Sequence, residues 1–220
     1  KRILENMIIN SMDSLSKSVQ DLEGNESYFF VLEDTITKKI IGSSRIIRRV
    51  GVTSPHYNFK LKPIIKHSDS LGITKKHLLL SLKKTERKVS EIGTLFLKDS
   101  ARGKGLGRLL SLGRFLFMAE HPKYVENNII AEMRGVSNIK GESPFWSSLG
   151  EKFFGISFIE ANEKTVKEDS FLDDLIPRYP IYAHFLSQEA QNVIAVPHPN
   201  TIAALRLLES EGFQKNNRID

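Results

Sequence analysis

The chain has 220 residues, 40% of them hydrophobic and 26% charged, which is the composition of a globular protein and excludes disorder, collagen and low complexity as whole-chain descriptions. Lys and Arg number 32 against 26 Asp and Glu, a net charge of +6; such a surface suits a polyanion, whether nucleic acid, an anionic membrane or a phosphorylated cofactor. Cysteine is absent, which removes disulfides, thiolate metal sites and a Cys nucleophile and fits a reducing cytoplasm.

Ile3, Leu4, Met7, Ile8, Met12, Leu15 and Val19 recur at helical spacing. Tyr28 to Leu32 and Lys39 to Val50 read as strands, and Glu33 to Lys38 as their hairpin connection. Residues 51–88 are polar and Lys-rich, contain Pro55 and Pro63, and read as an excursion without an assignable structure. Glu91 to Leu97 reads as a buried strand. A glycine-rich turn follows, then a helix with Leu106, Leu109, Leu110, Gly113, Leu116 and Phe117 on one face. Asn128 to Met133 is the next expected strand. Ser143 to Phe154 and Thr201 to Glu211 are further expected helices, the second stopped by Gly212. The longest apolar stretch, Leu109 to Ala119, is broken by Arg114 and falls far short of the roughly 20 residues that span a bilayer. No signal-peptide pattern is present.

The most informative segment is Arg102-Gly103-Lys104-Gly105-Leu106-Gly107. Glycines turn tightly and bring backbone close to a ligand, and the helix that follows begins with unpaired N–H groups suited to phosphate. Arg102, Lys104 and Arg108 add full charges. A Walker loop requires Gly-Lys-Ser/Thr at its end, but Arg108 follows the last glycine. The dinucleotide fingerprint has a different glycine spacing. The pattern Arg-x-x-Gly-x-Gly is met by Arg102, Gly105 and Gly107; the plain alternative is a tight turn without ligand.

Strand, Arg-x-x-Gly-x-Gly, helix, strand resembles the acyl-CoA-binding core of the GCN5-related N-acetyltransferase (GNAT) superfamily. Within it, the chain resembles the bacterial arginine N-succinyltransferase family. The match is carried by Tyr28 to Asp34, Thr94 to Leu97, Ala131 to Gly135, Ser143 to Trp146, Pro180 to Tyr182, Glu211 to Phe213 and, most specifically, His184-Phe185-Leu186-Ser187-Gln188-Glu189-Ala190. The resemblance implies an α/β acyl-CoA N-acyltransferase fold: one domain over residues 1–220, a largely antiparallel mixed sheet with splayed central strands, and flanking helices. Family members extend further at both ends, so a first strand and a C-terminal portion are expected to be missing.

The same resemblance implies succinyl transfer from succinyl-CoA to the α-amino group of L-arginine, without a covalent enzyme intermediate. It places the acyl-CoA against the main chain of Leu95 and Leu97 and on Arg102, Gly103, Lys104, Gly105 and Gly107, and the proton donor at His198. The Tyr that serves as acid in many relatives is replaced here by Leu208, or by Trp146 on a rival alignment. From the residues alone, His198 sits rigidly between Pro197 and Pro199, with His184 its competitor; a structural histidine is the plain alternative for each. Glu132 and Arg134, two residues apart in an expected strand, are candidates for the substrate's charged groups, or pair with each other. No His/Glu spacing resembles a metal site, and no metal is expected. The expected partners are arginine and succinyl-CoA, in a homo- or hetero-oligomer, without nucleic acid or membrane. Rival readings are a subunit that also acts on ornithine, an acetyltransferase with another amine acceptor, and, in a different class, a basic nucleic-acid-binding module. The last lacks the interleaved aromatics and motifs such modules carry.

Overall fold

The computed structural model describes residues 2–53, 55–85, 88–165 and 174–219; Ser54, Glu86 and Arg87 of the expected excursion lie outside the described residues. In chain order the elements are α1 (Arg2–Ser16), β1 (Ser27–Asp34), β2 (Lys39–Ile47), β3 (Tyr57–Ser68), β4 (Ile73–Lys84), β5 (Val89–Leu97), α2 (Leu106–Glu120), β6 (Asn128–Ile130), α3 (Glu151–Phe154), α4 (Phe158–Thr165), β7 (Ile181–Tyr182), α5 (Gln188–Val193), α6 (Ile202–Ser210) and β8 (Arg218–Ile219). They form two units, one of Lys1–Thr53 with Thr85–Glu132, the other of Ser54–Lys84 with Met133–Asp220.

The first unit is built on a sheet of order β1-β2-β5-β6. β1 and β2 form the expected hairpin, closed by Asp34, whose Oδ1 accepts from the N–H groups of Ile36 and Thr37 at 2.9 Å. β2 pairs antiparallel with β5, and β5 pairs parallel with β6 through α2, as the strand-loop-helix-strand pattern requires. Tyr28, Ile46 and Ile92 are at most 2% exposed and form the centre of this core. α1 does not use its apolar residues against the sheet. Ile3, Leu4, Ile9, Met12 and Leu15 are exposed, whereas Ser11 and Ser14 are buried. Their hydroxyls accept from Phe29 N at 2.8 Å and Ser27 N at 3.0 Å, which occupies donors on the edge strand β1.

α2 departs from the expected phase in the same way. Leu110, Ser111, Arg114 and Met118 are buried, while Leu109 and Leu116 are exposed. Arg114 is fixed by its own helix: Nη2 donates to Ser111 Oγ at 2.8 Å and Nε to Ser111 O at 3.3 Å. Burial pushes its guanidinium down to about 10. An arginine inside and leucines outside reverse the pattern that a hydrophobic count anticipates.

The second unit carries an all-antiparallel sheet of order β7-β4-β3-β8. The segment unassigned from sequence is its long hairpin, twelve residues per strand, turned at Asp69–Gly72. Pro63 is tolerated in β3 because β8 reaches only Phe59 and Lys60, leaving an open edge beside the proline. Phe59, Leu80, Leu149, Leu186 and Ala190 form the core. The expected helix over 143–154 is present: residues 144–154 are helical throughout, with a π-helical stretch, Trp146–Gly150, running directly into α3. α6 ends where Gly212 (φ 93°) allows the chain to turn back, and Phe213 N bonds Leu208 O at 3.1 Å. Among the described residues no helix is long and apolar enough to cross a membrane.

Candidate active site

In the first unit, β6 pairs with β5 only at Val89, Ser90 and Glu91. From Ile92 to Leu97 that side of β5 pairs with no described strand, so its main-chain groups are available to a ligand that adds like a strand. The same stretch carries a bulge. Ser43 faces Phe96 and Arg45 faces Gly93, so Thr94 and Leu95 together oppose Ser44. Thr94 sits at φ 53°, a strained conformation for a β-branched residue. The bulge changes the direction of the main chain at Leu95, against which the acyl-CoA was expected. Gly42 permits this approach: a Cβ there would lie 2.9 Å from Phe96 O and 3.0 Å from side-chain atoms of Leu97 and Leu110.

Past Leu97 the chain makes a single 3-10 turn, Asp99–Ala101, and enters the glycine loop. Gly103 (φ 77°) and Gly105 (φ 75°) are left-handed, and a Cβ on either would meet nothing within 4 Å. Their requirement is therefore conformational, and the space above them is open. Gly105 is the N-cap of α2, and its carbonyl accepts from both Arg108 N and Leu109 N at 3.1 Å. The N–H groups of Leu106 and Gly107 precede these and have no intrahelical acceptor by position. Lys104 is exposed. Arg102 is tied locally, with Nη1 2.9 Å from Asp99 Oδ1 and Nε donating to Leu97 O at 3.3 Å. That ion pair is exposed and worth at most about 1 kcal/mol, so it is readily exchanged for a phosphate.

In the second unit, His198 is held on all sides by main chain. Its N–H donates to Arg134 O at 2.7 Å, and its carbonyl accepts from Thr201 N at 2.8 Å and Thr201 Oγ1 at 2.7 Å. Its Nδ1 accepts from Asn200 N at 3.1 Å, capping the 3-10 turn Pro199–Thr201. Gly135 and Pro197 form an antiparallel bridge beside it. His184 is exposed on a turn after β7, its ring centroid 5.0 Å from that of His77.

Glu132 and Arg134 do not share a strand face, because β6 ends at Ile130; both are exposed, and Arg134 Nη2 donates to Ser137 Oγ at 2.8 Å. Leu208 is 6% exposed and Trp146 Nε1 donates to Ile156 O at 2.9 Å, so both positions where the usual Tyr acid was sought are structural. Among the described residues no three His, Asp or Glu side chains gather as a metal site. Sequence reasoning missed Gly42, Thr94 and the cap that His198 Nδ1 places on Asn200 N. An isolated glycine inside a strand, Gly93, was the available sign of the bulge.

A family model described as arginine N-succinyltransferase beta subunit matches residues 1–220. The chain belongs to that family. Arginine N-succinyltransferases of Escherichia coli O139:H28 and Escherichia fergusonii are each 41% identical to it over 199 residues, which is 90% of this chain and 58% of each relative. The solved structure of arginine/ornithine succinyltransferase subunit AI from Pseudomonas aeruginosa superposes with a TM-score of 0.84 at 33% identity, covering 99% of this chain and 63% of that one. The chain thus spans less than two thirds of the length of these relatives. This succinyltransferase-family chain has the α/β class the resemblance implied: among the described residues its strands lie in two four-stranded sheets, paired antiparallel except for the β5–β6 pair around α2.

Proposed function

We propose that the protein transfers the succinyl group of succinyl-CoA to the α-amino group of L-arginine, giving N2-succinyl-L-arginine and CoA, as the opening step of arginine catabolism to glutamate in the cytoplasm. The match of the whole chain to the succinyltransferase family carries this reading. The open stretch of β5 and the glycine loop at the N-terminus of α2 support the acyl-CoA part. The free amine attacks the thioester carbonyl; the N–C bond forms and the C–S bond breaks, with sulfur taking the electron pair. Main-chain N–H at the Leu95 bulge holds the oxyanion. Pyrophosphate lies on Gly103, Lys104, Gly105 and Gly107, with Arg102 released from Asp99. On the family resemblance, His198 serves as the proton donor for the departing thiolate. The acceptor's charged groups are the natural partners of Glu132 and Arg134, with His184 a further contact. The printed name of the Pseudomonas aeruginosa relative supports a second reading, in which ornithine is also an acceptor and the chain works as a subunit of a larger assembly.

The test presents arginine, ornithine and lysine in turn, with succinyl-CoA or acetyl-CoA, and follows released thiol. The chain has no cysteine to add background. Thiol release with succinyl-CoA and arginine is expected. Turnover with acetyl-CoA and none with succinyl-CoA overturns the proposal.

A further inference from the structure

The net charge of the chain sits on one element. The β3–β4 hairpin, Tyr57 to Lys84, holds seven lysines against a single acid, Asp69, and no arginine. That excess equals the +6 of the whole chain, so the remaining residues sum to neutrality. The one acid is engaged elsewhere: Asp69 Oδ1 lies 3.0 Å from His67 Nε2.

The register decides where these charges point. Side chains alternate between faces along a strand, and directly paired residues share a face. One face carries Phe59 and Leu80 into the core. The other carries Lys60, Lys62 and Lys66 from β3, Lys75 and Lys83 from β4, and Arg218 from β8, all exposed. Two pairs of like charge stand directly opposite one another, Lys66 with Lys75 and Lys60 with Arg218. Such pairs destabilise a sheet. Among the described residues none of the six cations has an ion-pair partner to offset this. Lysines do guard open strand edges against strand addition. That role requires charge along a rim, not like charges in opposed pairs across a face.

At the far end of the hairpin the exposed residues are apolar. Leu71, in the turn, is 71% exposed and Ile65 is 66% exposed, with Lys66, Lys75 and Lys76 beside them along the strands. Apolar side chains ringed by lysines are the combination that seats in a lipid interface, where the apolar groups enter the acyl boundary and the ammonium groups meet headgroup phosphates. Lysine is a hydrated point charge without the bidentate fork of arginine, so an all-lysine hairpin suits a diffuse anionic surface more than a defined carboxylate. Beyond Phe59 the hairpin has no Phe, Tyr or Trp on which a nucleic-acid base could stack.

We propose that the β3–β4 hairpin is a docking arm for an anionic lipid surface, its lysine face drawn to headgroup phosphates and its tip at Leu71 entering the interface. A membrane was not among the expected partners, since no segment is long enough to span one; a peripheral contact needs no span. The proposal stands independently of succinyl transfer.

Vesicle flotation of the 220-residue chain tests it. Binding is expected to vesicles of phosphatidylglycerol and phosphatidylcholine in equal parts at low salt, with loss at high salt and none to phosphatidylcholine alone. Lys62→Gln, Lys66→Gln and Lys75→Gln combined should weaken it about 100-fold, at about fivefold for each lysine near the surface. That variant relieves one opposed like-charge pair, so its Tm should not fall and lost binding is not lost folding. Lys140→Gln, Lys152→Gln and Lys164→Gln combined remove the same charge from exposed sites elsewhere in this unit and should leave most of the binding. Equal loss in the two triple variants overturns the proposal. Leu71→Trp puts a reporter at the tip, and its emission should move to shorter wavelength on the anionic vesicles; Trp146, bonded to Ile156 O, is a constant background. No shift in a Leu71→Trp protein that still binds overturns the entry of the tip. Tighter binding to duplex DNA than to the vesicles makes the hairpin a nucleic-acid arm and overturns the lipid reading, as does binding to neither.

Discussion

Gly105 and Gly72 provide a matched pair that separates folding from binding. Both are left-handed, at φ 75° and φ 60°, and a Cβ built on either meets nothing within 4 Å. Gly105 caps α2 in the glycine loop; Gly72 closes the β3–β4 hairpin. Replacing either by Val forces a β-branched residue into the left-handed region, at a cost of about 1–3 kcal/mol with no added clash at Cβ. For a chain of this size that lowers Tm by roughly 2–12 °C, at 2–4 °C per kcal/mol. The two variants should therefore be similarly destabilised. Only Gly105→Val also places a branched side chain where pyrophosphate approaches the main chain. Losing two charge-assisted hydrogen bonds at about 1.5–3 kcal/mol each weakens CoA at least 100-fold. Thermal unfolding gives the first quantity and titration calorimetry with CoA the second. Folded Gly105→Val that binds CoA like the parent, or equal loss of CoA by Gly72→Val, refutes the placement of the phosphates on this loop.

The strand order around the glycine loop was legible because it is local. A run of apolar residues, a glycine turn and an amphipathic segment need only neighbouring chain to form, and β5, α2 and β6 followed that pattern. The helix phase was not legible. Hydrophobic spacing put Leu109 and Leu116 inside, yet Ser111 and Arg114 occupy that face, since a serine hydroxyl can satisfy the arginine beside it within the same helix. α1 shows the same physics, its serines being chosen for the donors of an edge strand and not for apolar burial. The β3–β4 hairpin was hidden because lysines crowd its exposed positions and Pro63 argues against a strand until the short reach of β8 is known. Among the candidate residues, the glycine loop and the Pro-His-Pro run around His198 are residue types that can be read from sequence. The bulge at Thr94 and the Asn200 N–H are main-chain features, which residue identity does not encode. Glu132 and Arg134 were tied to a strand that ends two residues too early, since only three residues of β6 find a partner on β5.

Gly42→Ala should cost about 1–3 kcal/mol, because its Cβ would press on the Phe96 carbonyl and on Leu97 and Leu110, and CoA affinity should fall with it as β5 is displaced; a stable variant with unchanged CoA binding would show that β5 does not hold the cofactor. Glu26 yields the remaining expectation. It is 1% exposed and lies 3.6 Å from Arg48 Nε and 3.7 Å from Lys17 Nζ, while the N–H groups of Glu23 and Gly24 donate to it at 2.7 and 2.8 Å. Burial alone would raise its carboxyl, but the main-chain donors and Lys17 outweigh that and hold it below the ordinary value of 4.5. Glu26→Gln should therefore cost about 3–5 kcal/mol near neutral pH, since Arg48 is left buried with its charge unmatched. A depressed carboxylate contributes its stability above the unfolded value and loses it as pH falls through the folded one. The gap between parent and variant in urea unfolding should thus be full at pH 7 and close below pH 4.5, where the parent's carboxyl takes up the proton. A gap that stays constant down to acid pH would mean that shape and hydrogen bonding, not charge, hold this corner of the first unit together.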